Sequence, residues 1–485
     1  MIDWNIQLVL GISAITWHYS LLCGFISDDH AVIERRKDII PEGEKTPKKE
    51  NHWLKVLNDG PVMYYLNKAL WAVFGQTPFG WHLFNYLLHM LNTYLFYLVA
   101  AKLIGPTAAI PATLLWTTNP MQNQIAVWCS GRPYGISTCL ALVSILLWDK
   151  LYVVLPLYIL ATMTSLSVFF LPVLIKIMQP TAWQPTLYLI IMLCMMGWGV
   201  WKFKQRFGTG ALILDRTHYR FNKRRFTNLA RVYIYYAGIT AFPVKMGWYH
   251  EGGFRFNSAW DGFNAWALMG YGLAAWLATK GVAGWWYLLG MLPNMNILAT
   301  NSYLQDRYVY FGSMGLALVA APYVVVHPEI FVAIIAIYAS KAYTYSRHMV
   351  NDEKLYRENW RNHPRSDYGL NNLGFFLIHQ NRFEEARVVI KRGIDLDNQN
   401  KLLWYNLGVT WAATGHLQTI EGKNRFLRAL DCWKMALQIE PRWKKPKDDL
   451  DLLIKFLIDN KVLTQKKEEA APGTPEVSVP VAEKK

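Results

Sequence analysis

Two adjacent carboxylates, Asp28 and Asp29, follow the first apolar segment of the chain in the run Ser27-Asp28-Asp29-His30. At a membrane edge such a pair is costly, because burial disfavours each charge and the two repel. The residue types suit a general base or a metal ligand, and an Asp capping a helix at the start of a solvated loop would look the same. A second polar group, His82, Asn85, His89 and Asn92, is spaced 3, 4 and 3, which puts all four on one helical face. Such a face lines a cavity or bonds to neighbouring helices. Gly131-Arg132 follows Asn119-Pro120 and precedes another apolar segment. Arginine presents a planar fork of donors that fits phosphate, and an interfacial arginine also snorkels. The run from Gln305 through Asp306, Arg307, Tyr308 and Val309 to Tyr310 offers either an ion pair or a second phosphate contact. Residues 202–228 hold eight Lys and Arg, including Arg224 and Arg225, against one acid, Asp215. Such a run is commonly a solvated face that marks the cytoplasmic side.

Membrane helices are the elements that would position these groups. Charged residues are 17% of the chain and hydrophobic ones 53%, a balance that excludes an ordinary soluble domain. The 22 Trp and 27 Tyr suit membrane interfaces. A net charge of +16 would suggest nucleic acid in a soluble protein. Here the cations lie between apolar segments, so anionic or phosphorylated lipids are the expected partners and nucleic acid is not. Cys23, Cys129, Cys139, Cys194 and Cys432 form no CxxC pair, so neither a zinc site nor a disulfide framework is indicated.

About 20 apolar residues cross a bilayer. Candidate spans cover 5–26, 82–104, 106–119, 134–148, 150–163, 165–178, 185–201, 263–279, 282–299, 309–326 and 329–344. The first lacks the basic start and small-residue cleavage site of a signal peptide and reads as an uncleaved span. Segment 106–119 reads as broken or tilted, and Tyr-rich 229–243 as crossing or interfacial. Residues 27–80 read as a polar loop. Past residue 345 hydropathy falls. There Asn371-Asn372-Leu373-Gly374 recurs as Tyr405-Asn406-Leu407-Gly408, 34 residues later, the tetratricopeptide period. Ala386, Ala429, Trp433, Ala436 and Pro441 fit the second halves of two repeats, with an insertion near 416–424 and a further helix near 447–459. The fold class is therefore all-α: a polytopic membrane helix bundle of about eleven spans (1–345), a tetratricopeptide-repeat module (346–463) and a disordered Pro- and Glu-rich tail (464–485).

In order and spacing these motifs resemble the transmembrane and tetratricopeptide-repeat glycosyltransferases, which have the C-type membrane glycosyltransferase fold. The resemblance rests on Phe25 to Asp29, on Phe74-Gly75-Gln76-Thr77-Pro78 with His82, Asn85 and His89, and on Asn119-Pro120 with Val127 to Arg132. Arg225-Phe226-Thr227 with Tyr235 and Pro243, then Pro293-Asn294 with Asp306 to Tyr310, continue it. Asn119 stands where the family has His, Asp306 where it has Glu, and Ser165-Leu166-Ser167 where it has Ser-Lys-Glu. The resemblance implies transfer of a sugar from a polyprenyl-phosphate carrier to a protein or glycan hydroxyl on the non-cytoplasmic face, with inversion. It makes Asp28 or Asp29 the catalytic base. It puts His82, Asn85, His89, Arg132, Arg224, Arg225, Asp306, Arg307 and Tyr310 toward substrate. The cofactor is left open, a divalent metal ion being the one candidate. The implied partners are the lipid-linked donor, a peptide or glycan acceptor, membrane lipids and a protein bound by the repeats.

With the N-terminus inside and 229–243 interfacial, the acids, Arg132, the basic loop, Arg307 and the repeats all fall outside. The positive-inside rule favours the opposite orientation. Long loops translocate largely regardless of charge, and an anionic lipid donor gives outer cations a role. The expected location is a multi-pass protein of the inner or plasma membrane in a bacterium, or of the endoplasmic reticulum in a eukaryote. A membrane-anchored repeat scaffold of an envelope assembly and a lipid-linked sugar transporter are the competing functions.

Overall fold

The computed structural model describes residues 4–34, 60–208, 224–248, 250, 263–295 and 304–463, without the side chains of 198–208, 224–229, 263 and 264. These residues are helical with no strands, and they divide into two compact units that meet in sequence between Glu358 and Asn359. The tail after 463 lies outside the described residues.

In the first unit the helices are α1 (Trp4–Trp17), α2 (Pro61–Phe74), α3 (Pro78–Ile104), α4 (Pro106–Thr117), α5 (Arg132–Leu146), α6 (Leu151–Thr164) and α7 (Leu171–Met178). After them come α8 (Gln184–Gly208), α9 (Arg224–Ala241), α10 (Phe263–Ala278), α11 (Gly281–Met291), α12 (Ser313–Val325) and α13 (Pro328–Ser346). Proline opens α2, α3, α4 and α13, where its missing N–H would have had no partner and its fixed φ already suits the helix. The core gathers around Phe96, Trp116, Trp286 and Tyr310, whose rings meet edge-on at 5.1–6.1 Å.

One described helix, α3, is both long and apolar enough to cross a membrane. Its 27 residues reach about 40 Å at 1.5 Å per residue. Other apolar helices are shorter: α6 and α12 have 14 and 13 residues. The segment expected as a broken or tilted span is the 12-residue α4, which carries Pro111 inside it. The polar stretch 27–80, read as a loop, contains a π-helical turn at His30–Glu34 and the whole of α2. Helix α2 was obscured because its buried face, Met63, Tyr64, Asn67 and Leu70, includes polar residues.

The second unit holds two antiparallel helix pairs: α15 (Asp367–His379) with α16 (Phe383–Leu396), and α17 (Lys401–Thr414) with α18 (Ile420–Ile439). Lys401 opens α17 34 residues after Asp367 opens α15. A Cβ on Gly374 would stand 2.4 Å from Ile390 and one on Gly408 2.4 Å from the Trp433 ring, so both pairs need glycine where the helices touch. The insertion lengthens α18 to 20 residues, and α19 (Lys444–Asp459) closes the stack. Helix α14 (Asp352–Asn362) precedes these pairs in sequence.

Candidate functional site

The acidic pair sits on a strained turn. Ser27 has φ 54°, a left-handed conformation that costs a non-glycine residue energy and is often retained at functional sites. The turn is held from far along the chain. Asp352 accepts the Ser27 N–H at 2.7 Å and lies 2.9 Å from His30 Nε2, and His30 Nδ1 meets Glu34 at 2.5 Å. Gly24 donates its N–H to the Val350 carbonyl at 3.0 Å. The two carboxylates flank each other on this turn and face different surroundings.

Asp29 is fully buried. One oxygen accepts the Ser130 N–H at 2.7 Å and the Ser130 hydroxyl at 2.5 Å, and the other accepts the Ile26 N–H at 3.3 Å. Burial pushes its pKa up to about 6; the Ser130 and Ile26 bonds and the Arg132 charge oppose that rise without cancelling it. Asp28 is exposed, yet protein surrounds it closely enough that desolvation raises its pKa, against a lowering by the Arg307 cation. Of the two, Asp28 is the carboxylate a substrate can touch.

Arg132 opens α5 and is also fully buried. Its Nη2 donates to Asn67 Oδ1 at 3.0 Å, and its guanidinium lies 4.6 Å from the Trp81 ring centroid. Its Nε and Nη1 have no hydrogen-bond acceptor among the described residues. A buried guanidinium with donors left over carries a large desolvation cost, which a bound anion would offset. The backbone beside it admits no other shape. A Cβ on Gly131 would lie 1.9 Å from the Gln124 carbonyl oxygen, so only glycine sets Ser130 toward Asp29 and Arg132 toward Asn67.

Arg307 is half-buried among three rings, with its guanidinium 5.1 Å from Trp128, 5.5 Å from Tyr308 and 5.8 Å from Tyr134. Its backbone N–H donates to Gln124 Oε1 at 3.3 Å. Asp306, next in sequence, is fully buried and points elsewhere: it meets His250 Nε2 at 2.6 Å and accepts Asn123 Nδ2 at 3.1 Å. With Nε2 donating to Asp306, His250 Nδ1 accepts the Tyr235 hydroxyl at 2.7 Å.

The α3 stripe, expected to meet substrate, is closed off by protein. His82 Nε2 reaches the Gly24 carbonyl at 3.2 Å, and Asn85 donates to the carbonyls of Ile125 and Trp128 at 3.2 and 2.7 Å. His89 Nδ1 meets the Tyr310 hydroxyl at 2.8 Å, and Asn92 donates to the same hydroxyl and to the Gly135 carbonyl. His82, Asn85, His89, Asp306 and Tyr310 are all buried, and the bonds they make hold the acid turn and the 119–131 segment in place. A polar helix face serves equally to line a cavity or to satisfy buried loop backbone, and sequence does not separate the two. The side chains of Arg224 and Arg225 lie outside the described residues, as do 209–223 of the basic loop.

Two curated proteins match part of this chain. The human and mouse proteins named Protein O-mannosyl-transferase TMTC3 are each 22% identical to it over 154 residues. Those residues are 30% of this chain and 17% of either relative, so the chain covers well under a fifth of their length. No family model matches the chain, and no solved structure matches it.

Asn67, Trp81, Trp128, Tyr134, His250 and Asp352 enter the site without having been singled out in the sequence. Trp81 stands beside His82 and Trp128 lies inside the Val127 to Arg132 element, which is the local signal for them. Asn67, His250 and Asp352 sit far from every motif and are brought in by tertiary packing. Among the described residues no group of three or more His, Cys, Asp or Glu is placed to hold a metal ion.

Proposed function

We propose that the chain is a multi-pass membrane glycosyltransferase that moves a sugar from a polyprenyl-phosphate carrier to a hydroxyl acceptor on the non-cytoplasmic face. The observation that carries this reading is an accessible carboxylate, Asp28, within the field of Arg307 and one residue from Asp29, which in turn feels the charge of a buried Arg132 with unsatisfied donors. The partial similarity to proteins named as O-mannosyl-transferases supports it and makes mannose the first sugar, and a Ser or Thr hydroxyl the first acceptor, to test.

In this mechanism Asp28 takes the proton of the acceptor hydroxyl. The acceptor oxygen bonds to the anomeric carbon as the bond from that carbon to the phosphate oxygen breaks, inverting the centre. Polyprenyl phosphate leaves with the bond's electron pair. Negative charge grows on that phosphate, so Arg307 and the open N–H groups of Arg132 bind it more tightly in the transition state than in the ground state. Asp29 does not touch substrate; through Ser130 it fixes the segment that carries Arg132.

The test is transfer from polyprenyl-phosphate mannose to a Ser/Thr peptide by the purified protein in nanodiscs. Wild type transfers, whereas Asp28→Asn is slower by about 10²-fold or more with an unchanged melting temperature. Transfer at the wild-type rate by Asp28→Asn overturns the mechanism. No transfer by wild type from polyprenyl-phosphate mannose, glucose or N-acetylglucosamine overturns the function.

A further inference from the structure

A cavity of about 620 Å³ lies in the first unit between α4, α9, α12 and α13. That is within the size range of about 300–1,000 Å³ for ligand pockets. Its walls are apolar, among them Trp116, Ala237, Ala317, Ala320 and Ile334. It follows α12 from Ser313 to Val324, eleven residues or about 16 Å of helix. One end is polar. There Gln122 Nε2 donates to Ser313 Oγ at 3.2 Å, Asn119 donates to the Thr240 carbonyl at 2.8 Å, and Tyr338 donates to the same carbonyl at 3.1 Å. Lys341, one turn beyond Tyr338, also lines the cavity.

Two atoms at this end stand out. Gln122 Oε1 and Thr240 Oγ1 belong to cavity-lining side chains that are 0% and 7% exposed, and neither has a hydrogen-bond partner among the described residues. Unsatisfied buried polar atoms are uncommon because each costs the desolvation of its group. The lining at this end is thus polar and includes a cation, Lys341, while the rest is apolar. That asks for a ligand with a long apolar body and a negative charge at one end.

We propose that this cavity holds one acyl chain of an anionic glycerophospholipid whose headgroup sits at Lys341. The proposal rests on the membrane reading above but assigns a site apart from the reaction. The 119–124 segment is the wall between them. Gln122 faces the cavity, while Asn123 and Gln124 hold Asp306 and the Arg307 backbone on the other side. None of Asp28, Arg132 and Arg307 lines the cavity, so a lipid here is a resident one and not the sugar donor. Its occupancy would brace the wall that positions Arg307.

The experiment is native mass spectrometry of the full chain from mixed micelles holding equal phosphatidylglycerol and phosphatidylcholine. Wild type should retain one phosphatidylglycerol, preferred about fivefold, the effect of one cation near an anionic lipid. Lys341→Gln should remove the preference, and Ala320→Phe, which fills the groove, should remove the retained lipid. Should Ala320→Phe fail to fold, the Lys341→Gln preference decides. No retained lipid, equal retention of both lipids by wild type, or an undiminished preference in Lys341→Gln overturns the proposal. So does finding that the co-purifying species is a polyprenyl phosphate. Failure here is distinct from failure of the transferase reading: Asp28→Asn should slow transfer and leave the retained phosphatidylglycerol in place.

Discussion

The two halves of the site use the same pair of residue types in opposite ways. Asp29 and Arg132 are both fully buried: the carboxylate has spent its oxygens on Ser130 and Ile26, while the guanidinium keeps donors open. Asp28 and Arg307 are both more open, and aromatic rings surround Arg307. Adjacent, chemically identical acids thus differ in what they can do. Burial with partners makes Asp29 a fixture, and accessibility leaves Asp28 free to exchange a proton. The buried arginine differs in kind, because it carries a permanent charge whose open donors a bound anion would satisfy.

The largest break in this comparison comes from the buried half. Arg132→Gln removes the charge and most of the donors facing the leaving phosphate, and kcat should fall by about 10²- to 10³-fold. Arg132→Lys should recover little, because a point charge does not replace a planar fork. An effect confined to KM would count against a transition-state role. Asn67→Leu comes next. It strips Arg132 of its one side-chain acceptor at the cost of a hydrogen bond to a charged group, about 1.5–3 kcal/mol, or roughly 10- to 100-fold in kcat/KM. Equal losses in Asn67→Leu and in the Asn67→Leu/Arg132→Gln double variant relative to Arg132→Gln alone would show that the two act independently.

The burial of Asp29 makes stability depend on pH. The folded-state pKa of Asp29, about 6, lies above the usual carboxylate value near 4, so the folded chain holds this proton more tightly. The contribution is therefore complete below the unfolded pKa and is lost as pH rises from about 4 to about 6. Its full size is on the order of 3 kcal/mol. Relative to wild type, Asp29→Asn should melt higher at pH 7.5 than at pH 4.5. A pH-independent difference would mean that Asp29 titrates normally. The smallest effect is expected at the clamp. His30→Gln loosens a half-exposed link to Asp352 and Glu34 and should lower kcat only severalfold; a loss as large as that of Asp28→Asn would make His30 part of the chemistry.

Much of the arrangement was legible in sequence because it follows local rules. The 34-residue recurrence matches the spacing of the two helix pairs of the second unit, and the Gly131-Arg132 and Ser27-Asp28-Asp29 motifs fall on turns. Helix α2 was missed because a buried asparagine breaks its apolar face. The α3 stripe was legible as one face, but its partners were not, because spacing fixes which residues are together and packing decides what they meet. His250 and Asp352 join the site only by long-range contacts of 56 and 322 residues' separation, for which local pattern carries no signal.

The contrast between the acids is tested most directly by the pH dependence of kcat/KM for sugar transfer in wild type, Asp28→Asn and Asp29→Asn. Wild type should lose activity on acidification as Asp28 is protonated, Asp29→Asn should keep that acid limb, and whatever transfer remains in Asp28→Asn should lack it. An acid limb that survives in Asp28→Asn and vanishes in Asp29→Asn would assign the proton to the buried carboxylate and contradict the account.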